Sequence, residues 1–88
     1  MREILEAALL RELGATWREI SGNHFRGRLR PPVFALHDAG ARLGFWERRS
    51  RTLSLARRLV YEQPWGVVRE VLKHEIAHQF VDEVMGMD

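Results

Sequence analysis

The feature that most constrains the fold is a series of apolar residues spaced four apart, which begins at Val68 and ends at Val84. This spacing is typical of an amphipathic α-helix, and Pro64 just before it is a residue favoured in the first turn of a helix. A second ridge runs beside the first and consists of Val67, Val71, His74, His78 and Val81. The sequence therefore predicts a long C-terminal helix that is buried over most of its circumference.

The rest of the chain predicts one helix followed by short strands. Apolar positions between Glu3 and Ile20 follow helical spacing, and we expect this helix to end near Gly22, because glycine is favoured after the C-cap. Farther along, alternating apolar residues predict short strands, broken at Pro31-Pro32. The predicted fold class is α+β: an N-terminal helix, a small three- to four-stranded, mainly antiparallel sheet and a long C-terminal helix, in one domain over residues 1–88. The predicted strands cover residues 25–29, 33–37, 43–46 and 52–55.

The absence of cysteine limits the chemistry that the chain can perform. Without a thiol it cannot form disulfides, a thiolate zinc site or a catalytic cysteine, so histidine and carboxylate must supply any metal ligands. No apolar run approaches the roughly 20 residues needed to span a bilayer, and the N-terminus lacks the apolar core of a signal peptide. We therefore expect a soluble, cytoplasmic protein without a membrane partner.

The C-terminal helix carries two histidines and a glutamate in the stretch HEIAH. Residues four apart lie on one face of a helix, so the imidazoles of His74 and His78 can converge on one ion. Zinc accepts neutral imidazole nitrogen, and a catalytic zinc lowers the pKa of its water to about 7. Glu75 lies about 100° around the helix and can take a proton from that water. The spacing therefore indicates a hydrolytic zinc site, with Glu75 as general base.

Other interpretations of these side chains stay open. The two histidines of the pair could be core groups bonded to backbone carbonyls, with Glu75 paired to an arginine. His24 or His37 could supply a distant ligand, although a lone histidine is more often structural. Tyr61 could stabilise an oxyanion, although a tyrosine near a helix start usually packs.

Arginine is concentrated in the middle of the chain. Residues 24–58 contain nine arginines and two acidic residues, a net charge of +7, whereas the remainder carries −5. Such a segment can attract nucleic acid or an acidic partner, and Arg48, Arg49 and Arg51 in the predicted hairpin connection are the candidate contacts. We expect weak, non-specific DNA binding, with a solvated strand surface as the alternative.

Together these motifs resemble the SprT-like (Spartan-related) zinc metalloproteases. The resemblance covers most of the chain: NHFRGRL after the first helix, a leucine-glycine step at residues 43–44, a Leu-Ser pair at residues 53–54, and VLKHEIAHQF. It implies a minimal zincin whose C-terminal helix binds the metal, a zinc (Zn2+) cofactor, and a protein or peptide substrate. The family is associated with proteolysis of DNA-bound proteins.

The resemblance also implies a third zinc ligand. The family draws a third histidine from beyond the metal helix, so we expect the chain to be incomplete at its C-terminus. Asp82 would lie roughly 12 Å from His74 along a straight helix, too far for both side chains to hold one ion. We therefore expect these 88 residues to bind zinc weakly on their own.

Three functional interpretations follow. The leading one is the core of a zinc-dependent peptidase. The second is a zincin-like module that has lost hydrolysis and binds nucleic acid or a protein partner through its arginine-rich middle. The third is an inert fragment that holds no metal. The sequence leaves the cleavage specificity and the oligomeric state open.

Overall fold

The computed structural model describes residues 1–38, 40 and 42–86. Within these ranges the fold is α+β, with an N-terminal helix, a small three-stranded sheet and two further helices. No helix in this part of the chain is long and apolar enough to cross a membrane. In chain order the elements are α1 (Arg2–Phe25), β1 (Val33–His37), β2 (Gly44–Glu47), β3 (Thr52–Ala56), α2 (Arg57–Glu62), α3 (Trp65–Phe80) and a π-helical turn (Val81–Met85).

Helix α1 is longer than its predicted end near Gly22. It continues until Arg26 adopts the left-handed conformation, with a φ of 57°, and Gly27 follows with a φ of 65°. The backbone N–H groups of both residues bond to the carbonyl of Ser21, which satisfies the end of the helix. The strand predicted over residues 25–29 is therefore wrong, because this stretch forms the helix end and the turn after it.

The three strands form one mixed sheet in the order β1-β3-β2. Strand β3 pairs in parallel with β1 and antiparallel with β2. The prediction of a mainly antiparallel sheet is therefore wrong, since one of the two pairings is parallel. Burial explains the order: β3 carries the fully buried Leu53 and Leu55, is the most buried strand, and lies between the two more exposed edge strands.

The core lies between one face of the sheet and the helices. Burying a leucine or isoleucine side chain contributes about 1.5–3 kcal/mol, so these contacts fix the helices on the sheet. The buried apolar side chains that meet there come mainly from α1, β3, α2 and α3, and include Leu13, Trp17, Ile20, Leu53, Leu55, Leu59, Val60, Val68, Leu72 and Ile76.

Helix α3 is buried on one side only, which corrects the prediction of burial over most of its circumference. Leu72 and Ile76 are fully buried, whereas His74 and His78 are exposed and Val67 is 43% exposed. A three-stranded sheet covers only one side of this helix. The second apolar ridge is therefore only partly covered.

Candidate active site

His74 and His78 lie one turn apart on the exposed side of α3. Their Nε2 atoms are 3.2 Å apart and their ring planes cross at 83°, so both nitrogens point into the same small region. The alternative in which these histidines are core groups is wrong, because both side chains are exposed. The structure therefore brings the two imidazole nitrogens together at the surface.

Glu75 follows His74 on the helix but is turned inward, with 6% of its surface exposed. No ion pair among the described residues includes it, so the alternative in which Glu75 pairs with an arginine is not formed there. Burying a carboxylate to this extent costs free energy unless a cation or a hydrogen-bond donor lies close to it. Glu75 also lines the same cleft as the two histidines, so a group bound in the cleft can reach it.

The cleft that holds these residues has a volume of about 740 Å3 and lies between α3 and β2. This size is within the range of about 300–1,000 Å3 that is typical of ligand sites. One wall comes from α3 and the other from β2 and the residues just before it. The residues that line the cleft include Glu70, Val71, His74, Glu75 and His78 from the helix, and Leu43, Gly44, Phe45 and Trp46 from the strand side.

Strand β2 borders the cleft and forms one edge of the sheet. The Leu43 carbonyl accepts a hydrogen bond from the Ala56 N–H, which identifies a hydrogen-bonded pair in the ladder. Bonded and non-bonded positions alternate along an antiparallel strand, so the backbone N–H and C=O groups of Gly44 and Trp46 point away from β3. The cleft is therefore bordered by main-chain donors and acceptors at the free edge of the sheet.

Asp82, on the π-helical turn, connects the end of the helix wall to the strand wall. Its Oδ2 accepts a hydrogen bond of 3.0 Å from Trp46 Nε1, and its Oδ1 lies 3.4 Å from Arg48 Nε. Asp82 thus lines the cleft, but its carboxylate is held by the strand side. Within the described residues, no group of three or more histidine, aspartate or glutamate side chains is placed to hold a metal ion. These residues therefore provide a pair of candidate ligands, His74 and His78.

The remaining histidines and Tyr61 lie elsewhere. His24 is exposed in the last turn of α1. His37 ends β1, where its Nδ1 lies 2.7 Å from Ser54 Oγ and its Nε2 lies 3.1 Å from the Arg42 carbonyl oxygen. Tyr61 donates a hydrogen bond to a glutamate on α1. None of these three residues lines the cleft, so the structure does not join them to the histidine pair.

Five arginines line a second groove, of about 510 Å3, beside the cleft. Arg48 and Asp82 line both the groove and the cleft, so the two adjoin. All five arginines lie in the arginine-rich segment 24–58, but the sequence pattern predicted contacts only for those of the β2–β3 connection, because only the fold brings the two after α1 alongside them. We call this feature the arginine groove, and its arginines are Arg28, Arg30, Arg48, Arg49 and Arg51.

Two of the predicted nucleic-acid contacts are already engaged within the protein. Arg48 pairs with Asp82, and Arg51 binds both carboxylate oxygens of Glu83, with 2.7 Å between its Nη2 and Oε1. Hydrogen bonds from Arg51 hold the pKa of Glu83 below its ordinary value. No ion pair among the described residues includes the other three arginines of the groove, which therefore carry its available charge.

In comparisons with known proteins, no family model, curated protein or solved structure matches the chain.

Proposed function

We propose that the chain is the core of a zinc-dependent peptidase of the SprT-like type, built on a minimal zincin-like fold. In this proposal α3 is the metal-binding helix, His74 and His78 hold zinc, and Glu75 is the general base. The observation that carries the proposal is the convergence of two Nε2 atoms, 3.2 Å apart, beside a buried glutamate on the wall of a cleft.

The histidine pair has the geometry of two zinc ligands. With zinc–nitrogen bonds of about 2.0–2.1 Å, two nitrogens of a tetrahedral site lie about 3.3–3.4 Å apart, and the observed separation is 3.2 Å. A zinc ion bound there would polarise a peptide carbonyl and lower the pKa of a water molecule. Catalytic zinc sites typically have three protein ligands, so the proposal includes a third ligand outside the described residues.

The protein's own groups supply the proton acceptor and a contact for the substrate backbone. Glu75 takes the proton from the attacking water, because it shares the cleft with the histidines and no ion pair of the described residues competes for it. An extended polypeptide can add to the edge of β2 and pair with the main-chain groups of Gly44 and Trp46. Since this pairing recognises the backbone, we propose that the substrate is an extended segment of protein.

Replacing Glu75 with glutamine tests the proposal. Glutamine keeps the size of the side chain but cannot accept the proton, so we expect zinc content to stay while hydrolysis of fluorescein-labelled casein falls by at least about 100-fold. His74→Ala should instead release the zinc. Glu62→Gln, at the exposed end of α2, is the matched control. Casein cleavage by Glu75→Gln at the wild-type rate would contradict the proposal.

A second function is favoured by the arginine groove. We propose that this groove binds nucleic acid weakly and without sequence preference, because arginine side chains neutralise phosphates and displace counterions. Three of its five arginines are in no ion pair of the described residues, so they can approach phosphates without breaking an ion pair there. This function does not require hydrolysis and would also hold for a non-catalytic zincin-like module.

A further inference from the structure

Gly44 is the first residue of strand β2 and lines the cleft that also contains Glu75 of α3. A Cβ atom placed on this residue would lie 2.8 Å from Leu55 Cδ2, 3.1 Å from Glu75 Cγ and 3.2 Å from the Ser54 carbonyl oxygen. Both side chains are buried, so neither can move away freely. Gly44 is therefore required by the space available there, and not by a left-handed backbone conformation, since its φ is not positive.

The contact with Glu75 distinguishes Gly44 from other glycines of the chain. A Cβ atom on Gly66, in the first turn of α3, would meet nothing within 4 Å, and the same holds for Gly22 on α1. At Gly44 the space beside the Glu75 side chain is too small for a Cβ atom. A side chain at position 44 would therefore displace the side chain of Glu75.

We propose that Gly44 is a positioning residue for Glu75. Its missing side chain leaves room for the Glu75 side chain, so that the carboxylate keeps its position in the cleft beside the histidine pair. An alanine would push Glu75 Cγ by a few tenths of an ångström, and proton transfer is sensitive to displacements of this size. This inference rests on the proposed function, because it assigns Gly44 a role through the general base.

The first test separates turnover from binding in the zinc-loaded, full-length protein. For Gly44→Ala we expect kcat on fluorescein-labelled casein to fall at least about tenfold, while KM and the zinc dissociation constant change less than about threefold. Gly66→Ala makes the same chemical change in open space and should leave all three constants at their wild-type values. An unchanged kcat in Gly44→Ala would overturn the inference, and would leave the peptidase proposal intact.

A second test needs no catalysis. We expect Gly44→Ala to lower the midpoint of thermal unfolding by roughly 4–8 °C in the wild-type background, and by clearly less in the Glu75→Ala background, where the contacted side chain is gone. Equal losses in both backgrounds would overturn the inference. If Gly44→Ala fails to fold, adding Leu55→Val removes the nearest contact, and the comparison is made in that chain. A wild-type protein that carries the proposed third ligand, is loaded with zinc and still cleaves no casein would instead overturn the proposed function.

Discussion

Glu83 joins the π-helical turn to the β2–β3 connection through a single carboxylate. Arg51 donates to both of its oxygens, and Gln79 Nε2 donates to Oε1 over 3.0 Å. Hydrogen bonds from Arg51 are the largest cause of the lowered pKa of Glu83, and burial opposes them. A carboxyl group whose pKa is lowered on folding stabilises the fold above its unfolded pKa. This contribution is lost as the pH falls through the folded pKa.

We expect Glu83→Gln to destabilise the protein by about 1–2 kcal/mol at neutral pH, a value between those of an exposed ion pair and a charged hydrogen bond. The difference from wild type should shrink as the pH is lowered below 4.5, the ordinary value for this carboxyl. Urea unfolding across that range measures it. The exposed Glu62→Gln serves as the control. A difference that stays constant with pH would show that the charge on Glu83 is not its source.

Among the secondary-structure elements, α3 allows a direct test, because its two apolar ridges differ in burial. Leu72 is fully buried against the sheet, whereas Val67 is 43% exposed. We expect Leu72→Ala to cost about 2–5 kcal/mol through the cavity it leaves, and Val67→Ala to cost less than about 0.5 kcal/mol. Urea unfolding of the two variants measures both. Similar costs would restore the prediction of a helix buried all round.

The contrast between these ridges shows what periodicity can and cannot predict. The spacing located α3 and placed His74 and His78 on one face, because both follow from helix geometry alone. It could not tell which apolar ridge meets the sheet, since both ridges read as apolar. The alternation of apolar and polar residues over 25–29 led to the wrong prediction of a strand for a related reason. A helix end followed by a left-handed turn can show the same alternation.

The sheet and the cleft depended on contacts between distant parts of the chain. Strand positions followed from local pattern, but their order did not, because β3 lies between β1 and β2 for reasons of burial. The helix wall of the cleft was predictable from the spacing of the histidine pair. The strand wall, with Gly44 and Trp46, lies about thirty residues earlier, and no local signal connects it to Glu75.

In the molecule as a whole, part of the arginine-rich middle segment forms one defined surface, the arginine groove. Five arginines from two segments line the arginine groove, while Asp82 and Glu83 neutralise two of them. The predicted cluster at residues 48–51 is thus only part of this surface, and Arg28 and Arg30 complete it. Because the groove adjoins the cleft, nucleic acid bound there would lie beside the candidate active site.

Oligonucleotide binding tests the role of the arginine groove. We expect the combined change of Arg28, Arg30 and Arg49 to glutamate to weaken binding of a fluorescein-labelled single-stranded oligonucleotide at least about tenfold, measured by fluorescence anisotropy. Wild-type affinity should fall steeply with salt, since bound counterions are released. The control changes three arginines of α1 that do not line the groove to glutamate, which alters the net charge equally. Equal losses in the two variants, or binding indifferent to salt, would show that the groove is a solvated surface. The control positions are Arg2, Arg11 and Arg18.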